Sequence, residues 1–379
     1  MSHELILTNA RVVLEDRMFD GTVQVKNGLI ADISEGRTST GEDFDGDYLI
    51  PGLVELHTDH LETHYSPRPG VRWDTTSAIQ SHDAQIATSG ITTVFDCLRL
   101  GSDEDSGFPR GEMRALADAI EAADKAGRLR ADHLIHLRCE VPCSDVLEQF
   151  ADFEGDPRVR LASLMDHAPG QRQFQSLDQY IFFYKKKRGM TDEAFEAFIE
   201  RRMTASAQYS APHRDALAAR CAALGITVAS HDDATLAHVA EAQGHGVRLA
   251  EFPTSEQAAQ ASHAAGMSVL MGAPNVVRGQ SHSGNIAARD LAELGVLDVL
   301  SSDYVPFSLL HAPFILADTV ETLDLPQAIA MVSATPARTV GLEDRGRITP
   351  GLRADLVRVH RTNGVPVSRA VWRSGRRVA

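Results

Sequence analysis

The stretch PGLVELHTDH, residues 51–60, runs a proline-glycine turn into a short apolar strand that finishes on His57, Asp59 and His60. Imidazole and carboxylate are the side chains that bind divalent metals and move protons near neutral pH. Other strand-like runs finish the same way: the third on Glu140, the fourth on Asp166 and His167, the fifth on His231, Asp232 and Asp233, and the eighth on Asp303. Each residue alone has an ordinary alternative as a cap or loop hydrogen-bonding group. As a set they would gather carboxylates that repel one another and are costly to desolvate unless cations neutralise them. The set therefore predicts a bound divalent metal, one ion or two, because a carboxylate can bridge a pair ~3.5 to 4 Å apart. Imidazole and carboxylate without a cysteine pair suit zinc first, with manganese or iron as alternatives.

The elements that must position these groups alternate between strand and helix. Strand-like runs fall at 52–57, 91–97, 133–140, 159–167, 226–233, 247–253, 267–275 and 296–303, separated by helical stretches such as GEMRALADAIEAADKAG and HRDALAARCAALG. Alternation of this kind reads as a parallel sheet with crossover helices, and eight units with no ninth predict a closed (β/α)8 TIM barrel in the α/β class. The chain places its candidate residues at the C-terminal ends of those strands, where barrels carry their chemistry. Before residue 51, ELILTNARVVL and TVQVKNGLIADI are β-rich, and Asn27-Gly28 marks a hairpin. After residue 343, ADLVRVH and RAVWRSGRRVA have the same character, so 1–50 and 344–379 predict one small antiparallel module around a barrel at 51–343. An insertion around 168–210, carrying the basic run Lys185–Arg188, separates the fourth and fifth strands.

Composition excludes several other classes. A formal net charge of -15 argues against a nucleic-acid binder or a membrane-surface protein. No apolar run approaches the ~20 residues that cross a bilayer, and the acids in MSHELILTNARVVLEDR do not fit an export signal. The four cysteines, Cys97, Cys139, Cys143 and Cys221, have no C-x-x-C spacing and read as reduced packing residues of a cytoplasmic protein. No G-x-G-x-x-G or G-x-x-x-x-G-K-[ST] follows a strand, which removes the main support for a nucleotide-cofactor fold. A homo-oligomer is compatible with all of this.

PGLVELHTD after an N-terminal β module, a histidine after strand five, an aspartate after strand eight and the closing GRITPGLRADLV resemble the amidohydrolase superfamily across nearly the whole chain. The longer motifs HTDHLETH, HLRCEVP, SLMDHAPGQRQF, ASHDDAT, MGAPNVVRGQSHSGN and SSDY resemble its phosphonate-degradation branch. That resemblance implies a distorted barrel with a β-sandwich built from both termini. It also implies metal-dependent hydrolysis of α-D-ribose 1-methylphosphonate 5-triphosphate to the 5-phosphate and pyrophosphate, within the carbon–phosphorus lyase pathway. Carried over, it makes His57, Asp59, Glu140, His231 and Asp303 metal ligands, with Asp303 also taking a proton from the attacking water. The strand-six histidine and strand-four lysine of the superfamily are absent; Glu251 and His167 stand there, and His167 becomes the candidate replacement ligand.

A ribosyl triphosphate entering an acidic protein needs local cations, for which the arginine fork is suited. Arg138, Arg172 and Arg278, with Ser281, His282 and Ser283, are the candidates beside the strand ends. The competing expectations are an amidohydrolase acting on an amide, cyclic imide or amino-purine, and a scaffold without turnover.

Overall fold

The computed structural model describes residues 4–102, 108–172, 191–280 and 285–379. The basic run 185–188 lies outside them, as do Ser281, His282 and Ser283. Two compact units are formed, one from Met1–Asp96, Ala119–Leu134 and Met271–Ala379, the other from Cys97–Asp118 and Ile135–Leu270.

In the first unit, strands β1 (Glu4–Val13), β2 (Met18–Lys26), β3 (Leu29–Glu35), β4 (Glu42–Asp43) and β5 (Tyr48–Pro51) join three from the far end of the chain. Those three are β14 (Leu356–Thr362), β15 (Val365–Arg373) and β16 (Arg376–Arg377). The order is β16-β15-β14-β5-β1-β2-β3, with β4 on β1. The Asn27-Gly28 hairpin forms as the sequence predicts: Lys26 pairs with Leu29, and both turn residues have positive φ, 54° and 83°. The module is not antiparallel throughout, because β4 and β5 run parallel to β1. Two hairpin reversals return the chain to the direction of β1 before it crosses to the free edge of that strand. The sheet doubles over a shared core in which Phe44 stacks on Trp372 at 6.1 Å, beside Val23, Val25, Leu49 and Leu356.

The second sheet is parallel, in the order β13-β12-β11-β10-β9-β8-β7-β6. Its strands are β6 (Leu53–Thr58), β7 (Ile91–Leu100), β8 (Asp132–Glu140), β9 (Val159–Met165), β10 (Thr227–His231), β11 (Leu249–Glu251), β12 (Ser268–Gly272) and β13 (Val299–Ser301). All eight overlap runs read from the sequence. The end strands meet in a parallel bridge between Thr58 and Asp303, which closes the barrel. Burial on both faces explains why these strands are near-continuous apolar runs; every residue of β6 is buried.

Two elements differ from the sequence reading. The seventh run stops at Gly272, and Ala273–Arg278 is helical with Pro274 in its first turn, where a proline needs no backbone N–H partner. The helix read at 213–225 is the end of a 33-residue helix, Asp192–Leu224, which tolerates Pro212 in its interior. The Thr191 side chain accepts from the Ala194 N–H at its start, and Gly225 closes it at φ 68°. No helix among the described residues is long and apolar enough to cross a membrane.

Candidate metal centre and active site

In the second unit the ends of β8, β9, β10 and β11 assemble a set of acids and imidazoles. Glu140 closes β8 and accepts from His167 Nδ1 at 2.7 Å. Glu251 closes β11 and accepts from His231 Nδ1 at 3.1 Å and from Ser163 Oγ at 2.6 Å. With Nδ1 of each ring tied to a buried carboxylate, the Nε2 atoms turn toward Asp232, whose Oδ2 lies 3.8 Å from His167 Nε2 and 3.4 Å from His231 Nε2. Those distances are too long for good hydrogen bonds, yet they suit atoms that share an ion at ~2.0 to 2.2 Å. One atom from each of His167, His231 and Asp232 lies within 4.8 Å of the other two. Asp232 Oδ2 and Glu140 Oε2 are buried without a hydrogen-bond partner among the described residues. Two imidazole nitrogens and the orphaned carboxylate oxygen of Asp232 fit a divalent transition metal. The carboxylates behind the rings are the groups that orient metal-binding histidines. Burial opposes ionisation of Glu140, but His167, and then Arg99 and Arg202, hold its carboxyl below the usual carboxylate range.

Of the three polar residues that end that strand, the family resemblance singles out His231 alone as a ligand. The local backbone selects among them: Asp232 has φ 55°, and its N–H donates to the Glu251 carbonyl at 2.9 Å. Asp233 turns instead to Arg172, which also donates to Glu241 at 2.6 Å. Arg172, expected at a phosphate, is thus buried between two carboxylates. Asp166, at the end of β9, is taken up by the long helix: Ser206 and Ser210 donate to its Oδ2 at 2.9 and 2.6 Å. Arg138 is part-buried with Nε 3.5 Å from Met165 Sδ, and Arg278 is exposed in the last turn of its short helix.

In the first unit, β6 carries His57, the residue after it is Asp59, and the segment after β13 carries Asp303. The backbone binds the two together. The Asp59 N–H and Thr58 Oγ1 both donate to the Asp303 carbonyl at 2.9 Å, and the Asp303 N–H donates to the His57 carbonyl at 3.1 Å. Asp303 sits at φ 54°. Beneath it lies a residue the sequence reading missed. Glu55 is fully buried and accepts from the His57 N–H at 2.7 Å and the Ser302 N–H at 2.5 Å, so one carboxylate anchors the backbone on both sides. Burial pushes its pKa up to about 7, against the pull of Ser302 and His57. The signal was present in LVELH, where an acid two residues before His57 shares its strand face. Replacing Glu55 by alanine leaves both N–H groups without this acceptor; we expect a loss of about 1–3 kcal/mol in urea unfolding.

The same unit holds a buried charge network. Asp96 accepts from His82 Nε2 and His133 Nδ1, both at 2.8 Å, and Asp83 Oδ1 lies 3.3 Å from His133 Nε2 while its Oδ2 accepts from Arg130 at 3.0 Å. Burial opposes protonation of His133, but Asp96 and Asp83 overcome it and raise its pKa to about 10. A folded value above the unfolded one means that the stabilisation is complete below about pH 6.5 and is lost as pH rises through about 10. Unfolding free energy should fall across that window in the wild type, and His133→Gln should flatten the alkaline slope.

A closed parallel barrel with imidazoles and acids at its strand ends defines a class, and residues 248–379 match the profile of the amidohydrolase family. The chain belongs to the amidohydrolase family of hydrolases. It is 46% identical over 377 residues, 99% of this chain and 100% of the relative, to the α-D-ribose 1-methylphosphonate 5-triphosphate diphosphatase of Escherichia coli. It is 23% identical to the imidazolonepropionase of Nocardia farcinica over 94% of this chain and 91% of that one. Among solved structures, N-acetyl-D-glucosamine-6-phosphate deacetylase from Mycobacterium smegmatis shares the fold, with TM-score 0.65, 15% identity and 99% of both chains covered. The 5-methylcytosine deaminase of Klebsiella pneumoniae does so with TM-score 0.64 and 16% identity over 99% of this chain and 98% of that one.

Proposed function

We propose that the chain hydrolyses α-D-ribose 1-methylphosphonate 5-triphosphate, releasing pyrophosphate and leaving the 5-phosphate. The full-length likeness at 46% identity to a diphosphatase of that name is the observation that carries this reading. We assign divalent metal, zinc first and manganese or iron next, to His57, Asp59 and Asp303 of the first unit and to Glu140, His167 and His231 of the second. We add Asp232, a reading that its distances to His167 and His231 support. A divalent ion supplies charge neutralisation at the triphosphate and lowers the pKa of a water from 15.7 to about 7.

Asp303 then accepts the proton of the attacking water, for which its half-buried carboxylate on a clamped backbone is suited. Attack in line on the phosphorus next to the ribose accounts for a product that keeps one phosphate. Arg138 and Arg278, with Ser281, His282 and Ser283, bind the phosphates; Arg172 joins them only by giving up Asp233 and Glu241. Four buried, free cysteines support a reducing, cytoplasmic setting.

The test is purified protein supplied with metal and assayed for pyrophosphate from the ribosyl triphosphate, beside cyclic imide, amide and amino-purine substrates. Pyrophosphate release with the others untouched is expected; turnover of the cyclic or amino substrates alone would overturn the assignment.

A further inference from the structure

Beyond the residues assigned above, the first unit holds a second group of metal-ligating side chains. The short helix His60–Tyr65 places His60 and His64 four residues apart, on one face, and the helix Thr75–Thr88 sets His82 opposite them. Ring centroids are 4.7 Å apart for His60 and His64, 5.6 Å for His60 and His82, and 6.2 Å for His64 and His82. One ring nitrogen from each residue lies within 4.8 Å of the other two. His82 is fully buried, and His60 nearly so.

The hydrogen bonding identifies which nitrogens carry lone pairs. A ring nitrogen facing a carboxylate bears the proton, so His82 Nε2 donates to Asp96 and His82 Nδ1 presents a lone pair. That lone pair faces His60 Nδ1 at 3.4 Å. The separation exceeds the ~2.7 to 3.2 Å of a good hydrogen bond and is close to the ~3.3 Å between two nitrogens on a tetrahedral ion with bonds of ~2.0 to 2.1 Å. His64 Nε2 is buried with no hydrogen-bond partner among the described residues. Asp96 behind His82 completes the carboxylate–histidine pairing that orients a metal-binding imidazole. His82, Asp96 and His133 also lie close together, but their facing atoms already make two hydrogen bonds of 2.8 Å, so that group is closed.

We infer that His60, His64 and His82 bind a divalent transition metal, zinc by preference, as a site additional to the centre proposed for hydrolysis. Three neutral imidazoles supply borderline donors suited to that ion, and a tetrahedral geometry leaves one position open to water or another oxygen ligand. The site cross-links two helices that follow the first barrel strand.

The experiment is a cobalt(II) titration of chelator-stripped, full-length protein, followed by the visible absorption of tetrahedral cobalt and by metal counted per chain. Wild type should bind one more equivalent than His64→Gln or His60→Gln, or those variants should bind it at least about 100-fold more weakly, with circular dichroism unchanged. Asp232→Asn should keep that equivalent and lose another. Folded His60 and His64 variants with wild-type stoichiometry and affinity overturn the inference, and metal loss confined to Asp232→Asn does so while leaving the hydrolytic centre standing. Loss confined to the histidine variants supports the inference and removes the hydrolytic centre instead. Should the variants fail to fold, anomalous diffraction from zinc-soaked wild-type crystals decides the matter: a peak among the three rings supports the site, and its absence overturns it.

Discussion

Asp303→Asn should lower the rate of pyrophosphate release by about 100- to 10,000-fold, the range for loss of a proton acceptor in the transition state. The variant should fold normally. The contacts that tie Asp303 to Thr58, Asp59 and His57 use its own backbone N–H and carbonyl as donor and acceptor, and asparagine accepts the left-handed backbone at φ 54° at least as readily as aspartate. Thermal unfolding should therefore change by no more than a few degrees while steady-state turnover collapses. Asp303→Ala is a poorer probe because alanine disfavours that φ and would mix a folding defect with the chemical one. Full turnover by a folded Asp303→Asn protein would remove Asp303 from the reaction.

Stripping the proposed metal should have an effect at least as large. Chelator-treated protein should release no measurable pyrophosphate, and a divalent ion should restore the rate. The carboxylates around His167 and His231 then sort by role. Glu251→Gln removes the negative charge of the acceptor that orients His231, and should weaken metal binding about 10- to 100-fold. Asp232→Asn replaces an oxygen that has no hydrogen bond among the described residues and lies 3.4 Å from His231 Nε2, and should weaken binding further. Excess metal should rescue Glu251→Gln but leave Asp303→Asn slow. Competition with a chromogenic chelator gives the affinities. Equal affinity in Asp232→Asn and wild type would show that its carboxylate is not a ligand.

The barrel strands were legible because strands of a parallel sheet are buried on both faces, so each becomes a short apolar run between turns. The long helix Asp192–Leu224 was legible only at its end. Its buried face includes Arg202, Ser206, Ser210 and Arg214, a polar stripe at four-residue spacing that no apolar periodicity reveals, and Pro212 interrupts the pattern. That stripe faces Asp166, with Arg214 NH2 3.8 Å from its Oδ2, which is why Asp166 serves the fold of the second unit.

Residue types and their order along the chain were enough to determine an eight-stranded α/β barrel, a terminal β module and acids and imidazoles at the strand ends, since burial and hydrogen-bonding periodicity are local properties of sequence. Which oxygen faces which ring was decided only by tertiary structure. Adjacent polar residues such as Asp232 and Asp233 diverge through a positive φ, Arg172 is neutralised by acids distant in the chain, and Glu55 acts on backbone groups of its own strand and of the residue that follows β13. Such assignments depend on angstrom-scale distances between remote segments, and those distances exist only once the chain is packed.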